Sequence, residues 1–204
     1  MILYFMTQQI EIHPWNWQGP KDSKVLIVGT FPPTRRNWSF DFFYPNKNNF
    51  FWRVIAAIAG HTLENNQGPE ARKEREELLH QLKITLTDMG QTIIRNFDSS
   101  LDENIHPQQY MDISKILAER PSIQKIIFTS SSGKNSAAAW FKRYAEERNI
   151  ALKYPKGPKP LRLATQILGR KIELVILHST SARAANRISF EKLVDLYKNE
   201  ILCT

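Results

Sequence analysis

Three short apolar runs, each ending in a turn of small or polar residues, constrain this chain more than any other feature. Lys24-Val25-Leu26-Ile27-Val28-Gly29 stops at glycine. Ile123 to Thr129 passes through Ile126-Ile127-Phe128 into Ser130-Ser131-Ser132-Gly133, and Ile172 to Leu177 leads into His178-Ser179-Thr180-Ser181. Runs of β-branched and aromatic residues without polar alternation are the pattern of strands covered on both faces, as in a parallel sheet. Leu161 to Leu168 reads as a further strand, and Ile84 to Met89 alternates apolar with polar residues.

The stretches between them carry helical spacing. Asn48 to Ala59 sets Phe51, Trp52, Ile55 and Ile58 on one face and stops at Gly60, a glycine cap. Gln108 to Arg120 has the stripe Met111, Ile113, Ile116, Leu117 before Pro121. A third helix runs through Ala137, Trp140, Phe141 and Tyr144, and Ile188 to Ile201 closes the chain. Residues 70 to 82 form a charged helix whose Glu70, Glu74 and Glu77 interleave with Arg72, Lys73 and Arg75, the pattern of a solvated face. Strands alternating with helices predict a mainly parallel α/β sheet covered on both sides. Pro155 to Pro160 is too short to separate domains and reads as an extended loop.

Composition narrows the class. The 204 residues suit one domain, and 42% apolar with 24% charged residues is a globular balance. The single Cys203 excludes an internal disulfide framework and a four-thiolate iron-sulfur cluster, which fits a reducing cytoplasm. The apolar opening Met1 to Met6 is far shorter than a membrane span, so no membrane association is expected. The five histidines are scattered without a pair at ligand spacing, so no metal is expected. A net charge of +8 makes polyanions candidate partners. The excess is concentrated: seven Lys or Arg and no acid lie between Arg148 and Lys171, followed by Arg183 and Arg187.

In open parallel sheets ligands bind beyond the carboxyl ends of the strands. Three segments fall there: Gly29-Thr30-Phe31-Pro32-Pro33, Ser130 to Lys134, and His178 to Arg183. The second is not a nucleoside triphosphate loop, since Phe128 and Asn135 stand where glycine and Ser or Thr are required. It retains a helix N-terminus and Lys134, which suit either one backbone phosphate or a simple capping turn. No Gly-x-Ser-x-Gly elbow marks a serine hydrolase. The richest segment is Phe42 to Trp52, which interleaves aromatics with Asn46, Asn48 and Asn49. Three asparagines cannot all cap one helix end, and amides beside aromatics suit a flat base, with rings for its face and hydrogen bonds for its edge.

At these residues the chain resembles the uracil-DNA glycosylase superfamily. Gly29 to Pro33, Tyr44-Pro45 and Asn49-Phe50-Phe51-Trp52 are similar to its first motif block. Leu177-His178-Ser179-Thr180-Ser181 is similar to its second. Asp88, Arg95 and Ser100 to Ile105 resemble the middle of the hypoxanthine-DNA glycosylase branch, close to the mismatch-specific one. The likeness spans roughly residues 24 to 200. It implies a three-layer α/β/α sandwich with a central, mainly parallel four-stranded sheet, one domain over residues 1 to 204 with residues 1 to 22 packed on it as an extension. The implied activity is a monomeric, cofactor-free monofunctional glycosylase of base-excision repair. It would flip a deaminated or mismatched base, uracil or hypoxanthine, out of double-stranded DNA and hydrolyse its N-glycosidic bond.

Carried over by position, Gly29, Thr30 and Phe31 would form the water-side loop. Tyr44 would help bind the base and Phe51 would stack on it. Asn49 and His178 would be catalytic, and Ser131, Lys134, Ser179, Ser181, Arg183 and Arg187 would hold DNA. Phe31 stands where many branches have a water-positioning amide or acid, and His178 where proline is common. A non-catalytic nucleic-acid binder on the same fold and a nucleoside- or nucleotide-processing α/β enzyme are the alternatives.

Overall fold

The computed structural model describes residues 8–130, 133–185 and 187–203. Its centre is a five-stranded sheet. Strand β2 (Val25–Gly29) lies between β3 (Ile84–Asp88) and β6 (Lys125–Phe128); β8 (Arg170–Ile176) follows β6, and β7 (Leu161–Ile167) forms the edge. The first four in spatial order are parallel, whereas β7 pairs antiparallel with β8 as a hairpin, Leu161 opposite Ile176 and Ile167 opposite Arg170. The sheet is thus one strand larger than the expected four.

Side chains alternate across this sheet. Val25, Ile27, Leu86, Ile127 and Val175 face one way and meet α1 (Phe51–Ala59), α2 (Gly68–Leu82) and α6 (Phe190–Leu202), the last preceded by the short α5 (Ala182–Ala185). Leu26, Val28, Ile126, Phe128, Leu174 and Ile176 face the other way and meet α3 (Ile113–Glu119) and α4 (Ala137–Glu146). Two cores on opposite faces explain why the central strands are apolar throughout. Helix α1 ends at Gly60 in the left-handed conformation, φ 68°, its N–H returning to Ala56 and Ala57. This is the cap expected from the sequence.

A second, three-stranded antiparallel sheet was not anticipated. It consists of β1 (Gln8–Ile12), β4 (Gly90–Asn96) and β5 (Ile105–Tyr110) in the order β1-β4-β5. Strand β5 occupies the first part of the expected 108–120 helix, which begins only at Ile113. Beyond β1, Gln18 exchanges two backbone hydrogen bonds with Leu86, at 3.0 and 2.7 Å, along the outer edge of β3. The segment before β2 is therefore tied to both sheets.

The charged helix also departs from expectation. Lys73 and Glu77 are exposed, but Glu74 and Arg75 are buried. Glu74 accepts the N–H groups of Glu64 and Asn65, while the Arg75 guanidinium lies over the Phe40 ring at 4.5 Å. Buried charges survive where they are paired: Arg75 bonds Glu74 and the Asn65 and Ala71 carbonyls through one terminal nitrogen, with Nε left without a partner among the described residues, and together the two residues fasten the α1–α2 connection. Among the described residues no helix is long and apolar enough to cross a membrane.

Candidate active site

A pocket of about 230 Å³ opens at the carboxyl ends of the parallel strands. Its walls come from Gly29 to Pro33 after β2, Tyr44 to Asn49 before α1, Asp88 at the end of β3, Ser100 and Asp102, Thr129 and Ser130 after β6, and Ser179 to Ala182 after β8. The parallel topology brings these distant segments together, because every β2-like strand delivers its following loop to the same edge. The Phe50 N–H donates to the Thr180 carbonyl at 2.8 Å, fastening the aromatic segment directly to the serine-rich loop.

The Gly29–Pro33 loop is held from outside. Gly29 and Thr30 carbonyls accept the N–H groups of Met89 and Gly90 at 2.9 and 3.0 Å. The Pro32 carbonyl accepts from Arg95 at 2.8 Å and the Pro33 carbonyl from the Trp38 indole at 2.8 Å. Arg95 is almost fully buried; it also donates to both Glu11 carboxylate oxygens and to the Ser99 carbonyl. One guanidinium thus joins β1, β4 and the pocket loop, a use suited to its fixed fork of donors. Across this loop lies a second cavity of about 440 Å³, which shares Phe31, Pro32 and Pro33 and is bordered by Arg35, Arg36 and Trp38.

Two carboxyl groups face the pocket. Asp88 is buried, and its Oδ2 lies 2.9 Å from His13 Nε2. The other ring nitrogen, Nδ1, is 2.6 Å from the Trp15 carbonyl. Nδ1 also lies 3.2 Å from the Trp15 N–H, so the Trp15 backbone engages it in either tautomer: protonated it donates to the carbonyl, unprotonated it accepts from the N–H. Asp88 Oδ1 packs against Gly29, where a Cβ would overlap it. Asp102 stands at the rim, and its carboxyl is raised to about 6, chiefly by desolvation and then by the charge of Asp88; Arg95 and a hydrogen bond from Thr30 oppose the rise.

Tyr44 adopts φ 51°, an uncommon conformation for a residue with a side chain. The turn directs its ring onto Phe51, with centroids 3.8 Å apart, and its hydroxyl to 3.1 Å from Thr129 Oγ1. Burial, reinforced by Asp88, drives this hydroxyl well above its ordinary value, so it stays protonated. Phe51 is completely buried behind Tyr44 and does not line the pocket, which corrects the expectation that it stacks on a base. Phe31 and Tyr44 provide the aromatic walls instead.

Asn49 does line the pocket. Its Oδ1 accepts the Phe51 N–H at 2.9 Å, closing a turn that leads into α1, while its Nδ2 donates to no described residue. Asn46 does the same for Asn48 at 2.8 Å. A local structural role and a ligand role are therefore compatible in these asparagines: the oxygen serves the chain and the amide nitrogen is left for the pocket.

Ser179 and Ser181 line the pocket and form a local turn, the Ser179 hydroxyl accepting the Ser181 N–H and donating to Ser181 Oγ, both at 3.2 Å. His178 does not line it. Its imidazole is held below its usual value by burial and then by the nearby charges of Lys159 and Lys192. Lys134, Arg183 and Arg187 are exposed and outside the pocket. The helix start beside Lys134 is capped by Ser136, which accepts the Ala139 N–H, so the capping reading holds there. Ser131 lies outside the described residues.

The basic run does not form one patch. Strand direction puts residues 156 to 161 at the pocket end of the β7–β8 hairpin and Arg170 and Lys171 at the opposite end. Arg148 lies over Tyr144, Arg162 pairs with Glu200 and Glu173, and Arg170 bonds the Pro121 and Leu117 carbonyls. Sequence proximity overstated this surface because three of its seven cations are bound to the fold.

His13, Asp102 and Thr129 carry no role in the sequence reading. For Asp88 a signal exists: it ends a strand flanking β2, so its side chain falls at the same sheet edge as Gly29. His13 had no such signal, because its partner lies 75 residues away. Among the described residues no group of three or more His, Cys, Asp or Glu could hold a metal ion. No protein-family model matches the chain, and no curated protein matches it at a significant level.

Proposed function

We propose that this protein is a DNA glycosylase of the uracil-DNA glycosylase superfamily, built on the three-layer α/β/α plan, that removes a deaminated or mismatched base from double-stranded DNA. The observation that supports it most is the convergence of residues 29–33, 44–49 and 179–182, the segments that carry the resemblance, around one pocket at the carboxyl edge of the sheet. A cavity of about 230 Å³ suits a single heterocycle rather than a whole nucleotide.

Phe31 and Tyr44 enclose the flipped base, and the Asn49 amide, with Asn46 beside it, donates to its edge. As the glycosidic bond breaks, negative charge grows on the base and positive charge on the sugar. Donors on one side and carboxylates on the other stabilise both. Ser179 and Ser181 hold flanking phosphates, with the exposed Arg183 and Arg187 adding positions along the backbone. The cost of unstacking, a few kcal/mol and least for a mispaired base, adds selectivity.

The test is excision from duplexes carrying uracil, hypoxanthine, xanthine or a mismatch, read as alkali-labile abasic sites. Release from at least one duplex is expected. Tight binding to all of them without release would assign the protein to non-catalytic nucleic-acid binders, and absence of binding at low salt would favour a nucleoside-processing enzyme.

A further inference from the structure

Phenylalanine stands at residue 31, where the resemblance would have a water-positioning amide or acid, yet the pocket carries carboxylates from other segments. We infer that Asp88, at the end of β3, is the base that takes a proton from the attacking water, and that His13 is its positioning residue. This rests on the glycosylase reading.

The neighbouring acids have other tasks. Glu11 is bound by Arg95 and Asp98 by Arg36. Asp102 lies at the rim with the Thr30 hydroxyl. Asp88 alone is buried, has one oxygen fixed by a buried imidazole at 2.9 Å, and has the other beside the Gly29 backbone at the pocket wall. The missing Cβ of Gly29 makes the space that Oδ1 occupies. The charged or titratable groups facing Asp88 are His13, Asp102 and the Tyr44 hydroxyl. The His13 bonds to Asp88 and to the Trp15 backbone fix the imidazole at both nitrogens, which holds the bonded carboxylate oxygen in place and leaves the other at the pocket.

In the step, water oxygen bonds to C1′ of the deoxyribose while Asp88 Oδ1 accepts one of its protons. The C1′–N bond breaks, and its electron pair leaves with the base, which takes a proton from solvent. The products are the free base and a sugar bearing a 1′-hydroxyl; Asp88 then returns its proton to solvent.

The test uses whichever duplex the wild-type protein processes, under single-turnover conditions. Asp88→Asn is expected to slow excision by roughly 10²–10⁴-fold, the range for loss of a general base, with duplex affinity unchanged. His13→Gln, which keeps one donor, should slow excision by about 10-fold and shift the acid limb of the pH–rate profile, since general-base action follows protonation state. Added formate should restore part of the rate to Asp88→Ala, a rescue that a structural defect would not show. Excision by folded Asp88→Asn at the wild-type rate overturns the assignment alone. A wild-type protein that releases no base from any duplex overturns the glycosylase reading and this assignment together. Should the Asp88 variants fail to fold, the pH–rate profile of Asp102→Asn decides, because it removes the other carboxyl at the pocket: a rate that still falls with acid supports Asp88 as the base, and a flat rate overturns it.

Discussion

The carboxyl group of Asp88 and the α-carbon of Gly29 share one space. A Cβ at residue 29 would overlap Asp88 Oδ1 and come within 3.0 Å of the Tyr44 hydroxyl. Gly29 does not have a positive φ, so the requirement is for room rather than for an unusual backbone. Gly29→Ala should displace Asp88, lower excision at least 100-fold, and cost about 1–3 kcal/mol as overpacking does. Thermal denaturation alongside excision separates the two effects.

Asn49 divides its two ends between stability and chemistry. Asn49→Asp keeps an oxygen for the Phe51 N–H and loses the amide donor, so it should melt near the wild type yet lose excision. Asn49→Ala loses both and should also be destabilised by about 0.5–2 kcal/mol. Equal excision by Asn49→Asp and the wild type would remove the amide from the mechanism.

Asp102 gives a pH signature. The fold raises its carboxyl from an ordinary 3.8 to about 6, so the folded protein holds this proton more tightly than the unfolded chain. Its stabilising contribution is full below pH 3.8 and is lost as pH rises through about 6. Asp102→Asn should therefore melt above the wild type at pH 7.5, and the difference should close toward pH 4. Melting curves at both pH values check the sign.

What could be read without coordinates follows from how completely each element is buried. Strands β2 and β6 are buried on both faces, and such runs leave no alternative. Strand β8, with a buried carboxyl half, was equally plain. The second sheet was hidden because its strands are half-solvated: β1 exposes Ile10 and Ile12, and β5 contains Pro107 among polar residues. Glu74 and Arg75 were misread for a related reason. Charge on a helix normally signals solvent, and only the approach of Phe40 and the 61–65 loop turns those two inward.

The pocket was legible through its loops and not through its acids. Gly29, Asn49 and Ser179 sit in local patterns of apolar strand, turn and helix, which a sequence displays. The pairing of His13 with Asp88 depends on β1 and Gln18 docking on distant strands, a relationship that no short window contains. His178 shows the reverse: a local position beside Ser179 and Ser181, which line the pocket, is carried off it by the course of the chain.

The reach of β1 across to residues 92–96 has a consequence for synthesis and for handling. A ribosome releases Gln8–Ile12 long before its partner strand, so the nascent chain cannot complete the sheet until β4 has emerged. The closing loop of the pocket, residues 179–182, appears later still. A short deletion within Gln8–Ile12 would therefore take away the partner of β4 while leaving every strand of the central sheet in place.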